Sequence, residues 1–206
     1  MKSILIIGGG AAGFFGAINL AKSCPDYRIT ILEKSNTVLG KVKISGGGRC
    51  NVTHSCFEPK ELVKFYPRGK QELLGAFYNF QPLNTIKWFE ERGVELKTEE
   101  DGRMFPVSNS SQTIIDCFTA EVEKYGVKVR LKSGVNSIER IGSKWFVDIN
   151  DERLEADDII MAAGSSSKIW KLLKSLGHRI VEPVPSLFTF NVADEKIHDL
   201  AGLSIA

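Results

Sequence analysis

The apolar positions fall into blocks with two periods. Ile4-Leu5-Ile6-Ile7 is an unbroken apolar run entered through Ser3, and a second apolar run ends at Glu33. Runs this short, with turn residues at their ends, predict strands, and the segment between them predicts a helix. From Pro59 to Arg92 the spacing becomes helical, through Leu62, Phe65 and Tyr66, then Phe77 and Phe80, then Ile86 and Phe89. Pro67 and Pro82 are expected to break this stretch, and Gly93 to stop it. Val94 to Lys97 and Arg103 to Val107 predict a hairpin across the turn Glu100-Asp101-Gly102. Residues 111–125 predict an amphipathic helix ending at Gly126. Val127 to Leu131 alternates as a strand. Three more short strands follow near 134–140, 144–149 and 153–156, separated by Gly142-Ser143 and Asn150-Asp151, which predicts a β-meander. Asp158 to Met161 then runs into Ala162-Ala163-Gly164, ahead of a helix carrying Ile169, Leu172, Leu173 and Leu176.

The joints between these blocks carry the first chemical signal. Gly8-Gly9-Gly10-Ala11-Ala12-Gly13 lies between the first strand and its helix. Glycine at 8 permits a tight turn, at 10 lets backbone approach a pyrophosphate, and at 13 lets helix and strand pack closely. The phosphates would rest on unsatisfied N–H groups at the helix N-terminus. Glu33, twenty residues beyond Gly13, falls where a carboxylate can accept from a ribose diol. An acid there disfavours a 2′-phosphate, so NADP is not expected in this pocket. The whole pattern predicts an α/β, Rossmann-like domain: a parallel sheet with a β-meander crossover and a helical insertion. Pro183 and Pro185 mark a boundary, with residues 1–184 as the nucleotide-binding domain and 185–206 as the start of a truncated β-rich insertion domain. Leu187 to Val192 is expected to open a strand there. Leu200 to Ala206 reads as the entry to another strand, so a fragment is expected.

Composition narrows the classes. With 43% hydrophobic and 25% charged residues in 206, the chain can bury a core as an ordinary globular protein. A formal charge of +2 gives no electrostatic case for nucleic acid or an acidic membrane, and Lys60, Lys64, Arg68 and Lys70 read as a solvated face. No apolar run approaches the roughly 18 residues of a membrane span. Met1-Lys2 before an apolar stretch imitates a signal peptide, but the glycines interrupt it and the fold needs it as a strand, so a cytoplasmic location is expected. Cys24, Cys50, Cys56 and Cys117 form no C-x-x-C pair, and with His54, His178 and His198 they show no metal-ligand spacing. A reducing compartment and no metal are expected.

A second glycine-rich stretch is more specific than the first. Ile44-Ser45-Gly46-Gly47-Gly48-Arg49-Cys50-Asn51-Val52-Thr53, with Glu33-Lys34, Gly102 to Ser108, Ala162-Ala163-Gly164 and Leu176-Gly177-His178 leading to Pro183 through Leu187, resembles the BaiN/YhiN-like family. These are aminoacetone oxidase-like, NAD(P)/FAD-dependent bacterial oxidoreductases, and the likeness covers their N-terminal portion. Ala163-Gly164-Ser165 stands where relatives carry Thr-Gly-Gly, and the loop after it is shortened to Ser166-Ser167-Lys168.

The resemblance implies FAD, with Gly8, Gly10, Ala11, Ala12 and Gly13 at the pyrophosphate and Glu33 at the adenosine ribose. It implies Gly47, Gly48, Arg49, Cys50 and Asn51 beside the isoalloxazine, where amides and a cation could steady negative charge on a reduced flavin. Ala163 and Gly164 would let the sheet edge approach the cofactor. Val135 would meet the adenine, or is a core valine. Lys34 and Lys41 are cofactor contacts in the same reading, or with Lys43 surface cations. The implied function is flavin-mediated oxidation of a small amine or carbonyl compound. The alternatives are NAD(P)H-driven reduction of an activated C=C bond, nucleotide binding without turnover, and disulfide reduction through Cys50 and Cys56, whose spacing is one residue wider than usual for that chemistry. The expected partner is a small molecule, with neither nucleic acid nor membrane. His178 reads as a capping or packing residue, and no residue identifies itself as a catalytic base.

Overall fold

A computed structural model describes residues 1–184. The strand expected over Leu187–Val192, the domain expected from 185 onward and the segment Leu200–Ala206 lie outside the described residues. The chain divides into one compact unit over 1–166 and a second that begins at Ser167.

The first unit is built on β1 (Ser3–Ile7), α1 (Ala11–Ser23) and β2 (Arg28–Leu32). Ile4 to Ile7 are all buried, which is why β1 reads as continuous apolar sequence instead of alternating. The glycine-rich stretch holds a short helix, α2 (Gly40–Ile44), a 3-10 turn over Ser45–Gly48 and a two-residue strand, β3 (Thr53–His54). The expected helical insertion becomes α3 (Pro59–Leu62), a 3-10 turn over Val63–Phe65, α4 (Lys70–Asn79) and α5 (Pro82–Glu90). Pro82, expected as a break, sits in the first turn of α5, where its missing N–H costs nothing. The hairpin follows as β4 (Leu96–Thr98) and β5 (Arg103–Pro106), then α6 (Ser111–Lys124), β6 (Lys128–Arg130), the meander β7 (Val135–Ile141), β8 (Lys144–Ile149) and β9 (Glu152–Ala156), and β10 (Asp158–Met161).

Four strands make the parallel sheet, in the order β10-β1-β2-β6, with Ile4 to Ile7 paired to Asp158 to Met161 on one side. On the other side Ser3 to Ile7 pair with Arg28 to Leu32. The chain winds outward from β1 through β2 to β6, then returns past β1 to β10. β1 and β10 therefore bracket the point where strand order reverses, the usual ligand position in open α/β sheets. The two antiparallel sheets, β3-β5-β4 and β7-β8-β9, are separate from it.

Helix α1 buries Gly13, Phe14, Ala17, Ile18 and Ala21, a stripe with helical spacing that packs with Ile4, Ile6, Ile29 and Ile31. Its other neighbours are aromatic: Trp88 of α5 lies 5.2 Å from Phe15 and 5.5 Å from Phe118 of α6, centroid to centroid. The Trp88 indole donates to Asn19 Oδ1 at 3.1 Å. Below this layer Arg92 and Glu121 form a buried ion pair at 2.8 Å, their side chains only 7% and 10% exposed. Arg92 also donates to the Trp88 carbonyl at 2.7 Å and lies 3.8 Å from that ring, so each buried charge is paired and hydrogen-bonded. The second unit holds α7 (Ser167–Ser175).

Candidate functional site

A cleft of about 1180 Å³ opens at the carboxyl ends of β1 and β10. Its polar half is made by the turn after β1. Gly8 has φ +119°, and a Cβ there would sit 2.4 Å from the Ala162 carbonyl oxygen, so the turns after β1 and β10 touch through backbone alone. At Gly13 a Cβ would fall 2.0 Å from the Gly8 carbonyl oxygen, which places this residue in the packing behind the cleft. Gly10 differs: a Cβ there would meet nothing within 4 Å. No side chain caps α1, so its first N–H groups face the cleft beside Ala11 and Ala12, which line it.

Glu33 stands just beyond β2 with both oxygens held. Gly9 N–H donates to Oε2 and Ser35 N–H to Oε1, each at 2.8 Å. Partial burial pushes the carboxyl up, but the Ser35 and Gly9 amides, the Ser35 hydroxyl and Lys34 outweigh it and hold Glu33 below the usual carboxylate range. An ionised carboxylate has about four acceptor positions, so acceptor capacity toward the cleft remains. Lys34 lines the cleft here. Lys41, on α2, reaches across the mouth to the Ser165 hydroxyl.

The other half of the cleft is apolar and comes from helices α1, α5 and α6 and the residue that ends α4. Phe15, Phe80, Phe89, Ile114 and Phe118 line it, with Phe15 and Phe80 edge to face at 5.2 Å. Leu39 lies at the junction of the halves in a left-handed conformation, φ +57°, 1% exposed, its N–H bonded to the Gly9 carbonyl at 2.8 Å.

The second glycine turn is joined to the cleft through its flanking residues. Gly46, Gly47 and Gly48 have φ of +55°, +67° and +84°, and Cys50 follows at +62°, so four of five consecutive residues are left-handed. Non-glycine residues held this way cluster at functional sites. Ser45, Cys50, Asn51 and Val52 line the cleft, whereas Gly47, Gly48 and Arg49 are outside its lining. Arg49 turns instead to Glu99, contacting both carboxylate oxygens, and covers the Phe105 ring at 4.0 Å. The cation expected beside the ligand thus braces the loop against the β4–β5 hairpin. Burial pushes the Cys50 thiol up against an opposing Ser45 hydrogen bond, which disfavours the thiolate that disulfide exchange needs. Cys50 and Cys56 are both free.

Ala163 and Gly164 line the cleft after β10. Val135, placed against an adenine by the resemblance, is 4% exposed, pairs with Ile149 in the meander and is outside the cleft lining. His54, without a visible partner in sequence, accepts from Cys56 N–H through Nδ1 at 3.1 Å, and its Nε2 faces the Asp101 carbonyl at 3.2 Å. It ties β3 to the hairpin turn. Among the described residues no group of three or more His, Cys, Asp or Glu could hold a metal, and no helix is long and apolar enough to cross a membrane.

Comparison with known proteins places the chain. Residues 2–196 match the family described as HI0933-like protein Rossmann domain, and the chain belongs to that family. Over 215 residues it is 26% identical to the ribosomal RNA dihydrouridine synthase of Haemophilus influenzae, covering 98% of this chain and 52% of that protein. Over 211 residues it is 26% identical to the 3-dehydro-bile acid delta(4,6)-reductase of Clostridium scindens, covering 98% and 51%. The chain therefore spans about half the length of these curated relatives. Among solved structures, Thermovibrio ammonificans THI4 superposes with a TM-score of 0.55 at 14% identity, over 86% of this chain and 64% of that one. The Diels-Alderase PyrE3 superposes at 0.52 and 15%, over 84% and 35%. These structures share the fold.

Proposed function

We propose that this HI0933-like chain holds FAD in the cleft and serves the NAD(P)H-dependent reduction of a carbon–carbon double bond conjugated to a carbonyl group. The observation that carries the FAD reading is the two-part cleft. The uncapped start of α1, with open space beyond Gly10, fits a pyrophosphate, and Glu33, kept ionised by the Gly9 and Ser35 amides, fits a ribose diol. Ser45, Cys50, Asn51 and Val52, which flank and end the left-handed turn, line the same cleft as the aromatic residues, fitting a flat ring system. Lys41, bridged to Ser165, closes the mouth on the polar side. Phe15, Phe80 and Phe118 give the other side an apolar wall.

FAD, when bound, supplies the two-electron chemistry; the chain's residues bind it, orient it and set its surroundings. Overall, NAD(P)H and a proton would be consumed, the substrate carbons would each gain a hydrogen, and NAD(P)⁺ would be released. The reductive direction is favoured over oxidation of a small amine because one relative is named for making dihydrouridine and the other for reducing a bile-acid double bond. A cytoplasmic setting suits a reaction that draws on NAD(P)H.

The test uses the 206-residue chain and, where the gene encodes a longer product, that product. Flavin bands should co-elute with the protein after incubation with FAD, bleach with NAD(P)H under nitrogen, and return when a conjugated enone or a uracil compound is added. Flavin retained but reduced by an amine, with oxygen consumed, would reverse the assigned direction. No retained flavin at either length would overturn the FAD reading.

A further inference from the structure

The glycine turn over residues 45–50 takes its shape from outside the cleft. A Cβ at Gly47 would meet nothing within 4 Å, and one at Gly48 only the Lys43 carbonyl at 4.0 Å, so no neighbour is packed where their side chains would be. The turn closes on itself through Cys50 N–H to the Ser45 carbonyl at 2.9 Å and a longer bond from Arg49 N–H to the Gly46 carbonyl at 3.4 Å. Glycine populates both hands about equally, so three glycines in a row leave alternative conformers close in energy. Such a turn adopts the conformer that its surroundings select.

Those surroundings are the β4–β5 hairpin. Phe105 is fully buried, and its ring lies 2.8 Å from where a Cβ on Gly46 would stand. The Arg49 guanidinium covers the same ring at 4.0 Å and contacts both Glu99 oxygens. Val52 N–H donates to the Met104 carbonyl at 2.9 Å, so the hairpin also holds the chain just past the turn. Glu99 is fixed in its own right: its N–H donates to the Arg103 carbonyl at 2.8 Å, and its carbonyl accepts from Gly102 N–H at 2.9 Å. Its carboxylate lies 3.9 Å from the Arg103 guanidinium, which Asp101 holds at 2.6 Å. Two acids thus face two guanidiniums behind the turn.

We propose that Glu99, outside the cleft lining, is a positioning residue for it: by holding Arg49 on Phe105 it selects the conformer of the glycine turn that presents Ser45, Cys50 and Asn51 to the ligand. The inference rests on the FAD reading above and adds a residue that touches neither the ligand nor the reacting atoms. An arginine fork meets a carboxylate through two bonds while its flat face stacks on a ring, so one side chain fixes both distance and tilt. The Arg49 and Glu99 side chains are 34% and 28% exposed. A pair that wet contributes too little to decide whether the chain folds, yet the upper end of its range amounts to about a fivefold preference between two conformers.

The experiment compares the full chain with Glu99→Gln, Arg49→Met and the double variant in two readouts. The first needs no ligand: labelling by N-ethylmaleimide, with the modified cysteines located by mass spectrometry. Cys50 follows the turn, whereas Cys117 is packed in the core from α6. Labelling of Cys50 should quicken in each variant while that of Cys117 stays unchanged. The second readout is the dissociation constant for FAD, which rises as the competent fraction falls. Because one equilibrium governs both, the factor gained in Cys50 labelling multiplied by the factor lost in FAD affinity should come to about five. The double variant should match the single ones, since each removes the same contact. A product near one would overturn the proposal, and so would Cys50 and Cys117 opening together, which is general loosening. A larger loss of FAD affinity in Arg49→Met than in Glu99→Gln would put Arg49 on the ligand and overturn it as well. Selective opening of Cys50 in variants of a protein that holds no flavin would keep the brace and remove the FAD reading.

Discussion

The turn after β1 and the turn after α2 are both rich in glycine, yet a side chain added to each would meet different things. In the first, a Cβ at Gly8 or Gly13 would strike backbone at 2.4 or 2.0 Å. In the second, a Cβ at Gly47 would meet nothing within 4 Å, and one at Gly48 only the Lys43 carbonyl at 4.0 Å. The first turn needs glycine because the chain crosses itself there; the second needs it because the backbone is left-handed. The same letter in a sequence thus records an absence of room in one place and a choice of hand in another. Within the second turn the two demands meet at Gly46, since φ is +55° and a Cβ would lie 2.8 Å from both the Asn51 nitrogen and the Phe105 ring, as they do at Gly8 in the first, where φ is +119°.

The sharpest break of the comparison is Gly13→Ala, where the obstructing atom is backbone and cannot swing aside. It should cost about 3 kcal/mol, the upper end of overpacking, read as a lower urea midpoint. Glu33→Gln comes next, because an amide nitrogen would face one of the two backbone N–H donors, at about 2 kcal/mol. The native carboxyl is held below its unfolded value. Its contribution is therefore fully present above about pH 4.3, and is lost as pH falls through the native value. The variant should show a shallower loss of stability in acid, and an equally steep one would refute the assignment. Gly46→Ala should cost about 2 kcal/mol and Gly47→Ala about 1, with Gly47→Asn milder than Gly47→Ala; equal costs would erase the distinction between room and hand.

Gly10→Ala sharpens the comparison from the other side. It should leave unfolding within about 0.5 kcal/mol of wild type while FAD affinity falls by about tenfold or more, because the only thing a methyl there can obstruct is a ligand. The smallest effect concerns thiols. Burial pushes Cys117 up to about 11 and also raises Cys50, so at pH 8 a disulfide reagent should label Cys24 and Cys56 first and reach the other two only in denaturant.

Sequence was legible where a single element carried its own signal. β1 announces itself as an unbroken apolar run because it is buried on both faces, and the meander because Gly142-Ser143 and Asn150-Asp151 punctuate its short strands. Helix α2 was hidden, since it is five residues long and buries only Val42, too little to set a period. Strand β3 makes only two pairings, with Met104 and Arg103, and depends on the hairpin for its existence. In the cleft, Gly8 to Ala12 and Glu33 were local enough to read. The apolar wall was not, because Phe15, Phe80 and Phe118 come from distant segments and each also fits a core stripe. Arg49 shows the same limit: its partner Glu99 lies fifty residues away, and nothing near Arg49 in sequence points to it.

The pairing of β1 with β10 also sets a schedule. Ser3 and Asp157, bonded at 2.7 Å, are 154 residues apart, with the insertion, hairpin and meander between them. At ribosomal speeds of about 5–20 residues per second, an inner strand of the sheet waits roughly 8–30 s with one edge bare. For that interval Gly8 has no Ala162 against which to turn, and the cleft lacks the wall that β10 supplies. If the cleft holds FAD as proposed, its capture is tied to the end of this domain's synthesis, although the glycine motif is the first part made.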